Sequence, residues 1–334
     1  MIRRWRDASS VIIAARRNFP NFQKQQTAPI DYVVLTAQRS SKSSFLPDGY
    51  VFPGGVIEPQ NDSSEQWSDL LKELQFRNLN LHLDDKTSGA LNIYKTPNKE
   101  QLPRNISLRI AAIRETFEEC GILLCRLPTE DKVSKFGHNL ILNETEVAKF
   151  NSDSSPNKFY ELCAQLKCFP DVWSLIEARN WLTPAFFKKR FDTVFFICCL
   201  DQTPPVQIDQ GEISDFMWGT PQEYLALHKA GKLNLPPPQL YEFNEFTQFD
   251  SLQALADAAH KRHFCSDSCF LPVRFLLKDG AVIIMPGDSN YVVDPDEKDV
   301  QMKDVTIEDF RKRAVKHHRF EILGEGRVNF VKKL

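Results

Sequence analysis

"RETFEECGI", residues 114–122, is the stretch of this 334-residue chain that decides its fold. Three glutamates, Glu115, Glu118 and Glu119, fall within five residues, at a spacing that brings them to one side of a helix. Like charges at this spacing repel one another, and a cation close to them would offset this repulsion. The first question is therefore which cation these carboxylates bind, and for which reaction.

A helical projection of residues 109–124, at about 100° per residue, separates an apolar face from an acidic face. The three glutamates fall between about 140° and 240° from Ile113. The apolar residues within about 60° of Ile113 are Ile110, Phe117, Cys120 and Leu124. Gly121 suits the end of this helix, and Arg114 can pair with Glu118 four residues later.

An acidic helix face has two interpretations. It is a solvated surface, which is common on amphipathic helices, or it is a binding site for a hard divalent cation. Mg²⁺ prefers oxygen ligands, and it takes few of them from the protein and the rest from water and substrate phosphate. A metal bound in this way can neutralise a pyrophosphate and activate a water molecule.

A second motif, "FPGG" at residues 52–55, decides between these interpretations. Glycines let the backbone turn sharply and approach a ligand or a neighbouring helix. Together the two motifs resemble the signature of the Nudix hydrolase family, G-x5-E-x7-R-E-U-x-E-E-x-G-U, in which U is aliphatic. Gly55 matches the first glycine, and residues 114–122 match the second half except at Thr116. The resemblance implies an α/β fold, the Nudix α/β/α sandwich, and a pyrophosphohydrolase that uses Mg²⁺ or Mn²⁺.

The signature is interrupted. In an unbroken signature the arginine would stand at position 69, but it stands at 114, so about 45 residues separate the two halves. The first glutamate of the signature would fall on Asn61, which has no charge. An interrupted signature of this kind is similar to that of the peroxisomal CoA-diphosphatase type, the moiety-X motif 19 proteins, as are the stretches "WRDASSVIIAA", "RFDTVFF" and "LPPPQLYEF".

This resemblance predicts a Nudix domain over residues 1–235, with an insertion at about 60–106. Residues 236–334 are expected to form a helical C-terminal extension with a hairpin that turns at Asp279-Gly280. Strands are predicted in "DYVVLTAQ" (31–38), "VFFICCL" (194–200) and "EISDFMWGT" (212–220). Thr220 and Glu223 form a capping box that predicts the start of a helix.

The resemblance also assigns roles within the signature. Metal binding is expected of Glu115, Glu118 and Glu119, and structural roles within the motif are expected of Arg114 and Gly121. The base that deprotonates the attacking water is expected to be Glu119 or Glu212. Glu212 begins "EISDFMW", where the family often places a further acidic residue, but it is equally well explained as a loop glutamate.

A loop before the first motif is similar to the pattern of CoA-hydrolysing members, L-L-T-x-R-S-x3-R-x3-G-x3-F-P-G-G. "LTAQRSSKSSFLPDGYVFPGG", residues 35–55, matches at Arg39 but has Ser44 where the second arginine belongs and Asp48 where glycine belongs. Lys42 is a candidate to replace the lost charge, and an ordinary solvated loop is the alternative. Substrate binding is therefore expected of Arg39, Lys42, Gly54 and Gly55, with Lys188, Lys189 and Arg190 as further candidates for phosphate contacts.

The function implied is hydrolysis of the pyrophosphate bond of CoA and acyl-CoA, giving 3′,5′-ADP and (acyl-)4′-phosphopantetheine. Two alternatives remain open at this point. One is a diphosphatase that acts on capped RNA or on another nucleoside diphosphate derivative. The other is a non-catalytic Nudix scaffold that binds nucleotides; the loss of charge at Asn61 favours it, whereas the retained glutamate triplet opposes it.

Composition excludes several other classes. A net charge of -2 gives no reason to expect general nucleic-acid binding, and no apolar run reaches the roughly 18 residues of a membrane span. The eight cysteines form no CxxC pair, which indicates reduced thiols in an intracellular compartment. "HKRHFCSDSC" (260–269) is a weak zinc candidate, because its ligands crowd into ten residues; a helix end running into a loop is the favoured interpretation.

The two ends of the sequence bear on localisation. The basic stretch "MIRRWRDASSVIIAARR" is either a mitochondrial presequence or, the favoured interpretation, the first structural element. "KKL" at residues 332–334 resembles the peroxisomal targeting tripeptide. The expected location is the peroxisome, with an import receptor as partner and the mitochondrion as the alternative.

Overall fold

The computed structural model of the chain describes residues 5–17, 30–81, 83, 91–95, 101–130, 132, 134–209, 211–266, 268–292, 299–324 and 328–333. Four predictions fall partly outside these ranges. They are the "KKL" tripeptide at Leu334, the insertion at residues 82, 84–90 and 96–100, the basic first segment at residues 1–4, and the zinc candidate at Asp267.

The strands, numbered along the chain, are β1 (Arg6–Arg16), β2 (Tyr32–Arg39), β3 (Tyr50–Val51), β4 (Gly54–Val56), β5 (Cys125–Arg126), β6 (Phe169–Pro170), β7 (Ile176–Leu182), β8 (Phe191–Leu200), β9 (Ile213–Gly219), β10 (Val273–Leu277), β11 (Gly280–Ile284), β12 (Val300–Met302), β13 (His317–Leu323) and β14 (Val328–Lys333). The helices are α1 (Pro59–Asp62), α2 (Gln66–Glu73), α3 (Arg104–Cys120), α4 (Glu144–Ser152), α5 (Lys158–Leu166), α6 (Pro221–Lys229), α7 (Pro237–Phe246), α8 (Leu252–His260) and α9 (Ile307–Lys312). Within the described residues, every helix is too short or too polar to cross a bilayer.

A seven-stranded mixed sheet organises the molecule around β1. The strand order is β3-β2-β1-β8-β7, with β4 pairing with β1 and β9 pairing with β2. β1 and β8 run parallel, from Arg6 opposite Phe191 to Ala15 opposite Leu200, and the other pairs are antiparallel. The run "VIIAA" in β1 is fully buried, as expected of a strand that is covered on both faces.

Helices cover the two faces of this sheet. On one face, Ile113 of α3 lies in the same hydrophobic core as Val11 of β1. On the other face, Phe243 of α7 and Leu255 of α8 pack in a second core with Ile12 of β1. Because odd and even residues of a strand point to opposite faces, one strand serves both cores. The predicted α/β/α sandwich is confirmed.

The described part of the interrupting segment packs against α3. Trp67 and Leu70 of α2 lie in the α3 core together with Leu91 and Ile93. The indole N–H of Trp67 donates to the carbonyl of Asn61 at 2.8 Å. α3 itself begins at Arg104, just before the predicted end of the insertion.

Elements that depend on a local pattern are found where they are predicted. The strands predicted at 31–38, 194–200 and 212–220 are β2, the second half of β8, and β9. Both hydrogen bonds of the Thr220 and Glu223 capping box are present at the start of α6. The basic first segment contributes the central strand β1, so its favoured interpretation as a structural element is confirmed. Leu277 of β10 pairs with Gly280 of β11 in an antiparallel hairpin around Asp279-Gly280.

Two features differ from the expectations. β7 was not predicted, because its polar residues do not look like a buried strand. They are buried because they are paired: Arg179 with Glu242 and, at 2.7 Å, the amide of Asn180 with Asp192. The C-terminal region also contains more strand than the helical extension expected there, since the hairpin belongs to a five-stranded sheet of order β12-β10-β11-β13-β14.

Candidate active site

The C-terminal half of α3 places the signature glutamates beside β4. Gly121 follows the helix with a φ of 69°, and its N–H donates to the carbonyl of Phe117 at 2.8 Å. Glycine adopts this left-handed conformation without strain, so Gly121 ends the helix as predicted. The solvated acidic face, which was the alternative interpretation of this segment, is not observed, because α3 is buried on most sides and Glu119 is only 3% exposed.

The two glycines of "FPGG" let β4 pass directly over the carboxylates. A Cβ atom at Gly55 would lie 2.3 Å from the carboxyl carbon of Glu115, and one at Gly54 would lie 2.2 Å from the carbonyl oxygen of Ser9. The N–H of Gly54 donates to Glu119 Oε2 at 3.0 Å. A side chain at either glycine would therefore displace a carboxylate or the strand.

Arg114 connects two of the glutamates to Asp62, which follows "FPGG" in the first half of the signature. Its Nη1 donates to Glu115 Oε1 at 3.0 Å and to Glu118 Oε2 at 2.8 Å, so the predicted pairing with Glu118 is present. Its Nε and Nη2 bind the two oxygens of Asp62 at 2.9 and 3.0 Å. A buried guanidinium in this fork fixes the positions of its carboxylate partners.

Asp62 corrects the expectation for the first glutamate of the signature. That position was expected at Asn61, which led to the conclusion that the charge is lost. Asp62 stands one residue later, is 1% exposed, and pairs with Arg114 through the bidentate contact. A carboxylate next to the expected position was the sequence clue, and Asp62 is the last residue of the short helix α1.

Burial disfavours the ionised glutamates, and the residues present suit a divalent metal. Burial raises the pKa of Glu119 to about 8 and that of Glu115 to about 7, and it also raises the pKa of Glu118. Hydrogen bonds from Gly54 and Arg114 act in the opposite direction but do not offset the burial. A cation beside these oxygens would favour the ionised forms, and carboxylate oxygens are the ligands that hard divalent ions prefer.

A cavity of about 410 Å³ opens at these glutamates. Its charged lining residues are Glu115, Glu119 and Glu212, together with Arg6, Arg39 and Lys189. Its aromatic lining residues are Phe45, Phe52, Trp181, Phe187, Phe191 and Phe195. The cavity therefore combines acids, cations and an apolar wall.

The loop after β2 places two cations at the cavity: Arg39, at its start, and Lys189, which binds the loop from the turn before β8. Arg39 Nε donates to Ser43 Oγ at 3.1 Å and to the carbonyl of Phe45 at 3.0 Å, so Arg39 shapes the loop while it lines the cavity. Ser44, which stands where the second arginine of the CoA pattern belongs, accepts a hydrogen bond from Lys189 Nζ at 2.5 Å. Lys189 thus supplies a positive charge beside the position of the missing arginine.

Most of the predicted site residues meet at this cavity. Those that line it are Arg39, Gly54, Gly55, Glu115, Glu119 and Glu212. Two others do not line it. Glu118 faces Arg114 in a small neighbouring cavity, and Lys42 is exposed on the loop, so Lys189 and not Lys42 is the lysine at the cavity. Of the other two phosphate candidates, Arg190 is buried and donates to the carbonyl of Thr183 at 2.8 Å, and Lys188 is exposed outside the lining.

The sequence did not indicate Arg6 or the aromatic wall. Arg6 begins β1 and lies 5.5 Å from the centre of the Phe191 ring. Phe45 and Phe191 meet edge to face at 5.0 Å although they are far apart in sequence. No local pattern predicts these contacts, since they join β8 to β1 and to the loop after β2, which are distant in sequence.

The described residues contain one group of three close metal-binding side chains, and it is not the glutamates. Cys125, Cys163 and Cys168 have sulfur atoms within 4.8 Å of one another in the α3 core. The zinc candidate "HKRHFCSDSC" does not assemble within the described residues; Cys265 Sγ instead donates to the carbonyl of Glu177 at 2.9 Å. The favoured interpretation of that segment, a helix end followed by a loop, agrees with the end of α8 at His260.

Comparison with known proteins gives the family. A family model for the NUDT19 Nudix domain matches residues 5–246. The chain belongs to the Nudix hydrolase family. It is therefore a Nudix pyrophosphohydrolase, and enzymes of this family generally need divalent metal ions.

Relatives of this Nudix enzyme share most of its length. Acyl-coenzyme A diphosphatase NUDT19 of Gallus gallus is 35% identical and that of Xenopus laevis is 33% identical, and each alignment covers 96% of this chain and 90% of the relative. The Homo sapiens protein of the same name is 33% identical over 95% of this chain and 88% of its own. A crystal structure of a Nudix hydrolase from Alicyclobacillus acidocaldarius shares the fold, with a TM-score of 0.54 at 19% identity, covering 76% of this chain and 96% of that one.

Proposed function

We propose that this Nudix enzyme hydrolyses the pyrophosphate bond of CoA and acyl-CoA, releasing 3′,5′-ADP and (acyl-)4′-phosphopantetheine. The observation that supports this most is the composition of the cavity, which joins the acids Glu115 and Glu119 to the cations Arg39 and Lys189 and to an aromatic wall. CoA has three matching parts: a diphosphate, an additional 3′-phosphate, and a largely apolar arm. The names of the relatives agree with this substrate class.

The cations suit the phosphates of CoA. Lys189 and Arg6 line the cavity together with Arg39, and cationic donors form strong hydrogen bonds with phosphate oxygens. A substrate with one more phosphate group than an ordinary dinucleotide needs more than one such partner. Three cations at one cavity meet this requirement.

The metal is proposed to be Mg²⁺ or Mn²⁺, bound by Glu115, Glu118 and Glu119. When bound, such an ion neutralises charge on the diphosphate and makes water a better nucleophile. Glu118 would exchange its contact with Arg114 for this role. Arg114 and Asp62 keep Glu115 in place, and Gly54 orients Glu119 through its N–H.

The base is proposed to be Glu212. Glu119 already accepts the hydrogen bond from Gly54 and is needed as a metal ligand, whereas Glu212 lines the same cavity from the loop before β9. A general base must come within hydrogen-bond reach of the attacking water, directly or through a second water. A Glu212→Gln variant that keeps full turnover would assign the role to Glu119 instead.

The scaffold alternative has lost its main support. It rested on the absence of charge at Asn61, and Asp62 supplies that charge. Capped RNA remains a substrate to be compared by experiment, and no feature of the cavity favours it over CoA.

The test is a substrate panel on the purified full chain. CoA, an acyl-CoA, a cap analogue and NADH are each incubated with Mg²⁺ or Mn²⁺, and the products are separated by chromatography. We expect 3′,5′-ADP from the CoA substrates at the highest kcat/KM. Turnover of the cap analogue alone would contradict the proposal, and so would the absence of turnover with every substrate.

For localisation we propose the peroxisome, with the mitochondrion as the alternative, on the basis of the "KKL" tripeptide. Lys332 pairs with Glu245 at 2.8 Å and belongs to β14, so an import receptor would need the end of that strand to separate from β13. Imaging of the protein with a tag after Leu334 tests this. A change of location from peroxisome to cytosol supports the signal, and an unchanged location contradicts it.

A further inference from the structure

Gln239 is a buried polar residue that the proposed reaction does not use. It lies in the first turn of α7, within "LPPPQLYEF", and is only 5% exposed. Its Oε1 atom has no hydrogen-bond partner among the described residues, and Gln239 lines the active-site cavity. A buried acceptor without a partner is unfavourable, so a group that fills the cavity and donates to it would be stabilising.

The wall beside Gln239 is aromatic. Phe52 packs edge to face on Phe195 of β8 at 5.6 Å and on Phe243 of α7 at 5.5 Å. Phe243 follows Gln239 by four residues and therefore lies on the same side of α7. Trp181 lines this part of the cavity too, and its indole N–H already donates to Glu242 at 3.3 Å. The free polar atom identified on this wall is thus that of Gln239.

Two of the three cations, Arg6 and Lys189, lie near Phe191. Arg6 packs on Phe191, and Lys189 precedes it by two residues. Phe191 and Phe195 are four residues apart on β8, which corresponds to about 13 Å along the strand. The highly charged 3′-phospho-ADP half of the substrate therefore suits the end near Phe191, and the less charged half suits the end near Gln239.

We infer that Gln239 determines specificity for the pantetheine arm by accepting a hydrogen bond from one of its amide N–H groups. This rests on the proposed function, and it adds a residue to that site. The pantetheine arm alternates apolar carbons with two secondary amides. An amide that enters an aromatic wall loses its water and needs a partner there, and a glutamine oxygen provides one.

The test replaces Gln239 by methionine or leucine, which keep approximate volume but cannot accept the bond. The binding of 4′-phosphopantetheine and of 3′,5′-ADP is measured by calorimetry on the full chain, with Gln253→Met on the exposed face of α8 as the control. We expect the affinity for 4′-phosphopantetheine to fall about tenfold in both Gln239 variants, and the affinity for 3′,5′-ADP to change less than about twofold. We expect Tm to be unchanged or higher, because the free acceptor is removed.

Three outcomes overturn the inference: unchanged 4′-phosphopantetheine affinity in either folded variant, a loss confined to 3′,5′-ADP, or no 4′-phosphopantetheine binding by the original protein. A loss confined to 3′,5′-ADP would place the adenine half at Gln239. The binding measurement does not need turnover. Failure of CoA hydrolysis with the expected binding result would therefore refute the proposed function alone, whereas active enzyme with unchanged binding would refute the inference alone.

Discussion

Two buried arginines, Arg114 on α3 and Arg179 on β7, differ in the charges around them. Cations and acids balance around Arg179, whereas acids are in excess around Arg114. Arg179 pairs with Glu242 and Glu245, and Glu245 also pairs with Lys332, so two cations face two acids. Arg114 alone pairs with three acids, and Glu119 lies beside them. Balanced charges suit a structural role, whereas surplus carboxylates are stable only if the site gains a cation. The difference supports the end of α3 that carries the glutamates as the proposed catalytic site.

The largest effect is expected from removing one surplus carboxylate. Glu119→Gln should lower kcat/KM with CoA by about 10³-fold or more, since it removes a proposed metal ligand at the diphosphate. Stability should stay the same or increase, because a buried acid with a raised pKa becomes neutral. Steady-state kinetics and urea unfolding measure the two effects.

Glu161→Gln, on an exposed position of α5, is the matched control and should change neither quantity. If Glu119→Gln retained activity within tenfold of the original, surplus charge would no longer distinguish the two regions.

The balanced region, which is formed by Arg179, Glu242, Glu245 and Lys332, should respond in the opposite way: a substitution there should lower stability and leave activity largely unchanged. Arg179→Met leaves Glu242 buried without its cation and should lower the free energy of unfolding by about 3–5 kcal/mol. The folded fraction should keep most of its kcat, because Arg179 does not line the cavity. Arg274→Met is the control: Arg274 pairs with Asp299 at 2.8 Å but is 32% exposed, so the loss should be at most about 1 kcal/mol. Equal losses in the two variants would contradict the structural role.

A substitution of Asp62 should affect both activity and stability, since Asp62 holds Arg114 in place and is also part of the signature. Asp62→Asn removes the charge from the bidentate contact with Arg114 and should lower stability by about 2–3 kcal/mol and activity by about tenfold. Asn61→Ala is the control and should have a small effect. The reverse order of effects would restore Asn61 as the signature position.

How well each feature was predicted depends on where its determinants lie. α3, β2, β8 and the capping box of α6 follow from patterns within one segment, so the sequence predicted them. Pairing between segments did not follow from such patterns. β7 looks polar until Glu242 and Asp192 are placed beside it, and the charge of Asp62 is recognised only when Arg114 is seen to bind it.

The candidate site divides in the same way. The glutamate spacing and "FPGG" indicated the residues that are proposed to bind the metal, because each motif is a contiguous half of the signature. Lys189 was one of three cations that the sequence did not separate, and Lys42 was preferred on proximity in the loop. Folding reversed that preference, since the turn before β8 brings Lys189 to Ser44.

Lys189 offers a smaller test of the surplus-charge region. Lys189→Ala should raise KM for CoA about three- to tenfold with little change in kcat, because it removes a proposed phosphate partner and leaves the acids intact. Lys42→Ala, at an exposed position of the loop after β2, should have no effect beyond about twofold. Steady-state kinetics at low ionic strength is the measurement, because salt screens an exposed lysine. A larger effect of Lys42→Ala would show that the loop and not the turn before β8 supplies the charge.

The smallest expected effect concerns His318, which lies in the balanced region. Its Nε2 is 2.9 Å from the hydroxyl of Tyr241, its Nδ1 is 2.6 Å from the carbonyl of Pro286, and burial lowers its pKa below the ordinary value of about 6.5. Lys332 and Arg179 also lower this pKa and Glu245 raises it, while Asp288 accepts a hydrogen bond from the backbone N–H of His318 at 2.8 Å. Above pH 6.5 the His318 side chain is neutral in both the folded and the unfolded chain, and its contribution to stability is fully present. As pH falls below about 6.5, the unfolded chain binds the proton first, so stability is lost until the folded pKa is reached.

His318→Gln should lower the free energy of unfolding at pH 7.5. The further decrease in this free energy between pH 7.5 and 5.5 should be smaller in the variant by about 1 kcal/mol, as measured by urea unfolding at both pH values. The other histidines with lowered pKa, His228 and His260, are present in both proteins, so their contributions cancel in the difference. An unchanged pH dependence in the variant would mean that His318 takes up its proton equally in the folded and unfolded chain, and that the balanced region tolerates an additional positive charge.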